Sequence, residues 1–263
     1  MGIKPLKKFG QNYLIDKNIV NKMILPLELK PNDAVLEIGP GKGFITEILL
    51  ENLDKLTAVE IDTRVIKELI EKYPNVDLIQ GDFLNIRISE LGFTEKIKII
   101  GNIPFNLTGS ILFKLLEEKD FVNEAVFIIP LDIAKRLVAV KQTKEYGILT
   151  IIFSYFSCVK IITKVSPNVF FPKPNMESAI IHIKFNKLEK ENIDNKLFIK
   201  TVKAAFGNRR KTLNNSLRNS IFKDYDFSKV NLDLSKRAEE FDLNDFLELT
   251  EYLQNQVCKK KTN

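Results

Sequence analysis

The chain has 263 residues, of which 44% are hydrophobic and 28% are charged, a composition typical of a folded globular protein rather than a fibrous or disordered one. Its longest apolar stretch, residues 148–159, contains two serines and is too short to span a bilayer, so a membrane protein is not expected. The formal net charge of +6 indicates a polyanionic partner if the basic residues are concentrated in one region.

The N-terminal residues 1–15 lack the apolar stretch of a secretory signal, and Leu6 breaks the pattern that N-myristoylation requires. The two cysteines, Cys158 and Cys258, are far apart in the sequence and have no neighbouring cysteine or histidine, so neither a disulfide framework nor a zinc site is expected. We therefore expect a cytoplasmic protein without an export signal, a lipid anchor or a bound metal.

Short apolar segments alternate with segments of helical periodicity from residue 34 onward. The predicted strands are residues 34–38, 56–61, 76–80, 97–100 and 125–129. After the second of these, Asp62 is a suitable N-cap and Pro74 a suitable stop for a helix with an apolar stripe on one side. A further helix is expected to begin at Thr108. This alternation predicts an α/β fold in which helices cover a mostly parallel sheet.

The pattern changes after Gly147. Three segments rich in β-forming residues follow, at residues 148–156, 158–165 and 178–185. Their spacing predicts antiparallel pairing at the edge of the sheet. The polar residues 186–195 indicate a linker, and the remainder of the chain has helical periodicity. We therefore predict an α/β domain over residues 1–186 and a small all-α domain over residues 187–263.

A glycine-rich sequence, EIGPGKG at residues 37–43, lies between the first predicted strand and a helix expected to begin near Phe44. In α/β sheets such turns bind nucleotide-like ligands, because glycines allow the backbone to approach the ligand closely. A dinucleotide-binding turn would require a small residue where Phe44 stands, and Glu37 would repel a pyrophosphate. The spacing is typical instead of class I S-adenosylmethionine (SAM) methyltransferases, whose ligand carries no phosphate. A glycine-rich connector without a ligand is the alternative.

Two acidic residues follow at the ends of the next two predicted strands, Glu60 at the second and Asp82 at the third. A carboxylate at the second strand can accept hydrogen bonds from both ribose hydroxyls, and one at the third can accept from an adenine amino group. Taken singly, Glu60 also fits a surface residue and Asp82 a turn residue. Their order behind the glycine-rich turn predicts that both contact SAM.

The sequence Asn-Ile-Pro-Phe at residues 102–105 directly follows the fourth predicted strand. The exocyclic nitrogen of adenine is a poor nucleophile, so a transferase gains by accepting hydrogen bonds from both of its N–H groups. The side-chain oxygen of Asn102 and the main-chain carbonyl of Ile103 could be these acceptors, with Pro104 fixing the backbone. Phe105 offers a face on which an extruded base can stack. A strand-end turn with a core aromatic is the alternative.

These segments resemble the ribosomal RNA adenine N6-dimethyltransferases of the KsgA type. Residues 102–105 match that family's N-[LI]-P-[YF] motif, and residues 8–14, KFGQNYL, resemble its N-terminal cofactor-covering segment. Residues 170–178, FFPKPNMES, are similar to its F-x-P-x-P-x-V-x-S loop, and residues 206–217, FGNRRKTLNNSL, to its F-x-x-R-R-K-T-L-x-N-S-L segment. The resemblance extends from about residue 8 to residue 253.

The resemblance implies a Rossmann-like class I methyltransferase fold, with SAM as cofactor and S-adenosylhomocysteine (SAH) as product. The cofactor-binding residues that it implies, together with the glycine-rich turn, are Asn12, Leu14, Gly39, Gly41, Glu60, Ile61, Asp82, Phe83 and Asn102. The catalytic residues that it implies are Asn102, Ile103, Pro104, Phe105 and Phe170, the last as a second aromatic beside the target base. The chain departs from the family pattern in having Phe105 where tyrosine is commoner, and at residues 129–131.

Residues 196–218 contain seven basic residues and no acidic one, a pattern that indicates contact with phosphates. The residues predicted to bind RNA are Lys203, Arg209, Arg210, Lys211 and Arg218. A solvated helix face is the alternative explanation. The single histidine, His182, lies in a strand of alternating polarity and is expected to be structural rather than catalytic.

The sequence therefore predicts a SAM-dependent enzyme that methylates adenine N6 in ribosomal RNA. The resemblance implies two adjacent adenosines in the 3′-terminal hairpin loop of small-subunit (16S) rRNA as the target, on a maturing small-subunit particle, and a monomeric enzyme. Two alternatives remain open, an erythromycin-resistance-type enzyme acting on 23S rRNA and a ribosome-assembly or RNA-binding factor with little catalysis. Residues 209–216 favour the small-subunit enzyme over the first, and the presence of Gly39, Glu60, Asp82 and Asn102 favours catalysis over the second.

Overall fold

The computed structural model describes residues 11–185 and 190–261, with the side chains of residues 257–261 left out. The chain divides into two compact units. The first comprises the described residues up to Ala134 and those from Cys158 onward to residue 185, and the second comprises Lys135–Ser157 and the described residues from residue 190 onward. The predicted domain boundary at residue 186 lies outside the described residues, as do residues 8–10 of the predicted cofactor-covering segment.

The first unit contains nine strands among its described residues. In chain order they are β1 (Tyr13–Leu14), β2 (Val35–Ile38), β3 (Leu56–Glu60), β4 (Val76–Gln80), β5 (Ile97–Asn102), β6 (Val122–Pro130), β7 (Cys158–Val165), β8 (Phe170–Phe171) and β9 (Ser178–Lys184). Seven of them form one sheet in the order β4-β3-β2-β5-β6-β9-β7. Strands β2 to β6 are parallel, whereas β9 is antiparallel to both β6 and β7. The predicted parallel sheet with an antiparallel edge hairpin is confirmed.

The helices between these strands agree with the sequence pattern. They are α1 (Lys17–Ile24), α2 (Phe44–Leu49), α3 (Thr63–Lys72), α4 (Thr108–Glu117) and α5 (Leu131–Leu137). The side chain of Asp62 caps α3 by accepting a hydrogen bond from the main-chain N–H of Arg64, as predicted. Helix α4 begins at Thr108 and buries four aliphatic side chains, which are Ile111, Leu112, Leu115 and Leu116.

The parallel strands end together at one edge of the sheet. The register pairs Ile38 with Val59, Glu60 with Gln80, and Asn102 with Ile128. Because parallel strands share their carboxyl edge, the residues that follow β2, β3, β4 and β5 are brought side by side there. This places the glycine-rich turn, Glu60, Asp82 and Asn102 at a single location.

Strands β1 and β8 form a separate two-stranded antiparallel sheet, in which Tyr13 pairs with Phe171 and Leu14 pairs with Phe170. The main-chain N–H of Ile15 extends this pairing by donating to the carbonyl of Val169 at 2.9 Å. The side chain of Leu14 is 4% exposed and belongs to the hydrophobic core of the first unit. The N-terminal segment is therefore fixed to the chain around residue 170.

Residues 148–156 form a helix, α6 (Ile148–Phe156), so the strand predicted there is wrong. The helix is buried nearly all round, with six of its nine residues buried. A helix without a polar face lacks the amphipathic period, and its dense β-branched and aromatic residues then match a buried strand equally well. Its first turn is set by Thr150, whose hydroxyl accepts from the N–H of Gly147 and donates to the carbonyl of Arg136.

The rest of the second unit is helical, as predicted. Its remaining helices are α7 (Asn195–Ala205), α8 (Leu213–Arg218) and α9 (Leu243–Lys261). Asp194 caps α7 by accepting from two main-chain N–H groups. The aromatic rings of Tyr155 on α6 and Phe198 on α7 lie 4.7 Å apart, and Phe206 lies 5.7 Å from Phe246 on α9. Among the described helices, none is long and apolar enough to cross a membrane.

Candidate active site

A cavity of about 450 Å³ opens at the carboxyl edge of the sheet in the first unit. The predicted site residues that line it are Asn12, Leu14, Gly39, Gly41, Glu60, Ile61, Asp82, Phe83, Asn102, Ile103, Pro104 and Phe105. These are all of the residues assigned to cofactor binding and catalysis from the sequence, with the exception of Phe170. One cavity therefore joins the glycine-rich turn to the Asn-Ile-Pro-Phe sequence.

The glycine-rich turn has the backbone conformation that its sequence suggests. Gly39 has a φ of +67° and Gly41 a φ of +54°, values that residues with a side chain rarely adopt. A Cβ atom at Gly39 would meet nothing within 4 Å, so the space above this residue belongs to the cavity. A Cβ atom at Gly41 would lie 2.9 Å from the ring of Tyr13. The turn thus leaves room for a ligand at Gly39 and is covered by Tyr13 at Gly41.

Glu60 holds this turn in place. One of its carboxylate oxygens accepts from the N–H of Gly41 at 3.0 Å and the other from the N–H of Asp62 at 2.8 Å. Burial raises the pKa of Glu60 despite these two hydrogen bonds. Each carboxylate oxygen retains a second lone pair, so the group can also accept hydrogen bonds from a bound ligand.

Asp62 contributes to the site in a way that its role as a helix cap did not suggest. Its carboxylate is paired with the guanidinium of Arg64 at 2.5 Å and accepts a hydrogen bond from the side chain of Gln11 at 2.9 Å. The hydrogen bond from Arg64 is the main reason that the pKa of Asp62 falls to about 2. Asp62 therefore anchors the N-terminal segment beside the cavity.

Glu37 is fully buried at the end of β2. One carboxyl oxygen accepts from the hydroxyl of Thr46 at 2.7 Å, and the other has no hydrogen-bond partner among the described residues. Burial raises the pKa of Glu37 to about 8, so the group is protonated at neutral pH. A protonated, uncharged carboxyl group is consistent with the complete burial of Glu37.

Replacing Glu37 with glutamine is expected to change stability in a pH-dependent way. The free energy of unfolding of the variant, relative to that of the wild type, should increase as the pH rises from 5 to 8. Between its ordinary pKa of 4.5 and about 8 the folded state retains a proton that the unfolded state loses, so stability falls across this window. Glutamine does not titrate and escapes this loss, which amounts to about 1.4 kcal/mol per pKa unit. Urea unfolding of Glu37→Gln at pH 5 and pH 8 measures the effect, with Glu68→Gln on exposed α3 as the control. If the variant and the wild type differ in stability by the same amount at pH 5 and pH 8, Glu37 is ionised in the folded protein.

Asn102, the last residue of β5, lines the cavity. Its side-chain nitrogen donates to the main-chain carbonyl of Asn12 at 2.7 Å, a contact between residues that are 90 positions apart. Ile103 is buried, with 1% of its surface exposed, and Phe105 is half-buried in the turn that follows. The main chain at these residues is thus held by core packing while their polar atoms border the cavity.

The two adjacent phenylalanines of β8 lie in different surroundings. Phe170 is 3% exposed and packs in the hydrophobic core, so it does not line the cavity. Phe171 lines the cavity and is 60% exposed. Phe171 is therefore the phenylalanine of β8 that lines the cavity, and the role beside the target base that the resemblance implies for Phe170 stays a prediction.

Tyr13 was not identified from the sequence as a separate site residue. Its ring lies over Gly41, and the amine of Lys42 is 5.0 Å from the ring centroid. Its buried hydroxyl has no hydrogen-bond partner among the described residues. Burial and the nearby carboxylates of Asp62 and Glu60 raise the pKa of Tyr13 to about 12. No local pattern marks this residue, because its contacts with Gly41, Lys42 and Phe171 join parts of the chain that are distant in sequence.

The residues predicted to bind RNA all lie in the second unit and are exposed. The guanidinium of Arg209 donates to the carbonyls of Lys144 and Tyr146 at 2.8 and 3.0 Å, so it already has a structural role within that unit. Lys211 lines a second cavity, of about 290 Å³, whose other walls are small and polar. Lys211 therefore borders a cavity, whereas Arg209 is engaged within the unit.

His182 lies away from the cavity, on β9. Its Nε2 atom is 2.6 Å from the carboxylate of Glu124 on β6, and both side chains are buried. This agrees with the structural role expected from the sequence. In the described part of the chain, no three histidine, cysteine, aspartate or glutamate residues are grouped closely enough to hold a metal.

Comparison with known proteins gives concordant results. A family profile described as ribosomal RNA adenine dimethylase matches residues 3–255. The ribosomal RNA small subunit methyltransferase A of Francisella tularensis subsp. novicida is 38% identical over 258 residues, which cover 95% of this chain and 98% of that protein. The profile and this relative therefore extend over both compact units.

Solved structures share the fold over the same length. A dimethyladenosine transferase from Plasmodium falciparum superposes with a TM-score of 0.75 at 24% identity, over 93% of this chain and 98% of that one. The 23S rRNA methyltransferase ErmE superposes with a TM-score of 0.68 at 25% identity, over 92% of this chain and all of that one. The class I methyltransferase fold predicted from the sequence is confirmed.

Proposed function

The chain belongs to the ribosomal RNA adenine dimethylase family, and from this premise we propose that it transfers methyl groups from SAM to N6 of two adjacent adenosines in small-subunit rRNA. The proposed target is the 3′-terminal hairpin loop of 16S rRNA on a maturing small-subunit particle. We propose a monomeric enzyme that acts in the cytoplasm. The observation that carries the proposal is the single cavity shared by the glycine-rich turn, Glu60, Asp82 and Asn102.

The residues of the cavity fit SAM. Glu60 and Asp82 are acceptors at the ends of adjacent strands, suited to the ribose hydroxyls and the adenine amino group. The open space above Gly39 allows the ligand to approach the main chain. Asn12, Leu14, Ile61 and Phe83 complete the proposed cofactor site. When bound, SAM supplies a methyl group made electrophilic by its sulfonium.

The Asn-Ile-Pro-Phe sequence would hold the acceptor base. The side-chain oxygen of Asn102 and the carbonyl of Ile103 accept the two N6 hydrogens of adenine, which favours a pyramidal nitrogen with an available lone pair. Phe105 stacks on the base, and Phe171 is the second aromatic that lines the cavity. The nitrogen would take the methyl group by displacement, with its N–C bond forming as the sulfonium–carbon bond breaks and neutral SAH leaves. The positively charged nitrogen would then lose a proton to solvent. Alignment of nitrogen and methyl group supplies most of the acceleration.

A 23S rRNA target is the alternative that a specific observation supports, because ErmE shares the fold over its whole length. Its identity to this chain is 25%, against 38% for the small-subunit relative. The basic segment at residues 209–216 also resembles the small-subunit enzymes. We therefore favour the small subunit.

The decisive experiment is transfer from labelled SAM to undermethylated small subunits, with large-subunit rRNA in parallel and mass spectrometry of the mapped nucleosides. Dimethyladenosine in the 3′ hairpin of 16S rRNA is the expected product. Label in 23S rRNA would support the resistance-type alternative. Absence of label from both, with SAM binding intact, would support an assembly or RNA-binding factor.

Phe171 is expected to matter for RNA binding more than Phe170 does. Stacking of a base on an aromatic ring contributes about 1–3 kcal/mol, so Phe171→Ala should raise the KM for RNA roughly tenfold to a hundredfold and leave the melting temperature nearly unchanged. Phe170→Ala should instead cost about 3–5 kcal/mol of stability, because it leaves a cavity in the core. Kinetics and thermal unfolding of both variants measure the difference. A stable Phe170→Ala protein with weak RNA binding would return the stacking role to Phe170.

Arg210 and Lys211 are expected to provide electrostatic affinity for RNA. Changing both to glutamine removes two positive charges, so the magnitude of the slope of log affinity against log salt should fall by roughly 1.4 to 1.8. Arg209 is left intact, because its loss would also unpair the carbonyls of Lys144 and Tyr146. Lys229→Gln with Lys236→Gln is the control with the same change in net charge. If both double variants show equal salt slopes, local contact at residues 210 and 211 is excluded.

A further inference from the structure

Residues 11–15, which we call the strap, contact four parts of the site at once. The side chain of Gln11 donates to Asp62, and the ring of Tyr13 covers Gly41. The main chain of β1 pairs with β8, which places Tyr13 opposite Phe171. The carbonyl of Asn12 accepts from the side chain of Asn102 at 2.7 Å. The strap thus lies between the glycine-rich turn and the residues proposed to hold the base.

The contact with Asn12 determines which way the amide of Asn102 is turned. A main-chain carbonyl oxygen can only accept hydrogen bonds, so the Asn102 atom 2.7 Å from it must be the NH2 group and not the oxygen. Turning the amide over would place two oxygens against each other. With the NH2 group engaged, the side-chain oxygen is the atom left to accept a hydrogen bond from adenine.

We propose that the main-chain carbonyl of Asn12 is a positioning group for methyl transfer, which fixes Asn102 with its oxygen available to the target amino group. This inference rests on the proposed function and deepens it. It gives the strap a role beyond covering the cofactor, because its main chain also fixes a residue of the acceptor site. The cofactor side and the base side of the cavity are then joined by one short segment, held at both ends by Asp62 and β8.

Two variants at Ile15 test the contact between the strap and β8, one that breaks it and one that keeps it. The N–H of Ile15 donates to Val169 at 2.9 Å, while its side chain is 57% exposed. Ile15→Pro removes this donor, whereas Ile15→Ala shortens the side chain and retains the N–H. At saturating SAM, we expect the single-turnover rate of the proline variant to be at least about tenfold below that of the alanine variant. The affinity for SAH, measured by calorimetry, should fall by a smaller factor.

The orientation of the amide can be observed directly, without substrate. The ¹⁵N-labelled side-chain amide of Asn102, assigned by its disappearance in Asn102→Asp, should show one protected, downfield proton in the wild type and in Ile15→Ala. That signature should be lost in Ile15→Pro. An unchanged amide signal in a folded Ile15→Pro protein would overturn the proposal, as would a rate loss that matches the loss of SAH affinity.

A reciprocal measurement keeps the test decisive if Ile15→Pro does not fold. Asn102→Asp places an oxygen against the Asn12 carbonyl, so hydrogen exchange at Tyr13, Leu14 and Ile15 should accelerate relative to the wild type. Exchange that stays the same would refute the positioning contact. Neither the amide spectrum nor the hydrogen exchange depends on rRNA. Failure of the wild type to methylate rRNA would therefore refute the proposed function, and these two measurements would still decide the inference.

Discussion

Replacement of Asn102 by alanine is expected to lower the rate of methyl transfer by about a hundredfold to a thousandfold, with SAH affinity close to that of the wild type. The substitution removes the side-chain oxygen that would accept from the target amino group, an interaction strongest in the transition state. Ile103, Pro104 and Phe105 remain, and the glycine-rich turn is not touched. The effect should therefore fall on kcat rather than on KM. Single-turnover transfer to small subunits measures the rate of methyl transfer, and calorimetry measures the affinity for SAH.

Asn102→Asp is the informative companion, because it preserves the shape of the side chain. It keeps an oxygen but loses the NH2 group that donates to the Asn12 carbonyl. We expect it to be nearly as impaired as the alanine variant, since the carboxylate would turn or shift away from that carbonyl. Retention of transfer by Asn102→Ala would remove Asn102 from the catalytic assignment. Loss of SAH binding in either variant would reassign it to the cofactor site.

Glu60→Gln is expected to weaken SAH binding about tenfold to a hundredfold, although glutamine is nearly the same size. Both carboxylate oxygens already accept main-chain N–H groups, from Gly41 and from Asp62. The NH2 group of glutamine would face one of these donors, so one hydrogen bond is lost and the glycine-rich turn is displaced. Affinity is lost because the hydrogen bonds from the ribose hydroxyls to the charged carboxylate, each contributing about 1.5–3 kcal/mol, would be weakened by the displaced turn and the neutral side chain.

The measurement is calorimetric titration with SAH, supported by a thermal unfolding curve to show that the variant is folded. Glu68→Gln, on the exposed side of α3, removes the same charge from the same unit and is the control. Affinity equal to the wild type in Glu60→Gln would mean that the turn is held without the carboxylate and that Glu60 does not contact the ligand. A similar loss in Glu68→Gln would indicate a general electrostatic effect.

The half of the cavity proposed to bind SAM could be predicted from the sequence because each of its parts is specified locally. Gly39, Glu60 and Asp82 each lie at the end of a short apolar strand, and parallel strands bring such ends together whatever the rest of the chain does. Asn102 belongs to the same edge for the same reason. The five strands predicted for the parallel sheet accordingly match the observed ones to within a few residues.

The strap could not be predicted from local pattern. Its contact with Asn102 joins residues 90 positions apart, and its contact with Asp62 joins residues 51 apart. The choice between Phe170 and Phe171 depends on the same segment, because neighbouring side chains of a strand point to opposite sides and the pairing with β1 decides which side is the core. The helix α6 was missed for another reason, since burial on nearly all sides removes its amphipathic period.

The second compact unit is built from two separate segments of the chain, and this limits how such a protein can change by recombination. That unit takes Lys135–Ser157 from the middle of the chain, between β6 and β7, and the remainder from the C-terminal part. A gene truncated after β9 would still encode α6 but not α7, so the ring of Tyr155 would lose Phe198 and apolar surface would face water. The helical unit therefore cannot be gained, lost or exchanged by joining genes end to end. Changes in this unit are therefore expected to arise by substitution and loop insertion within an intact chain.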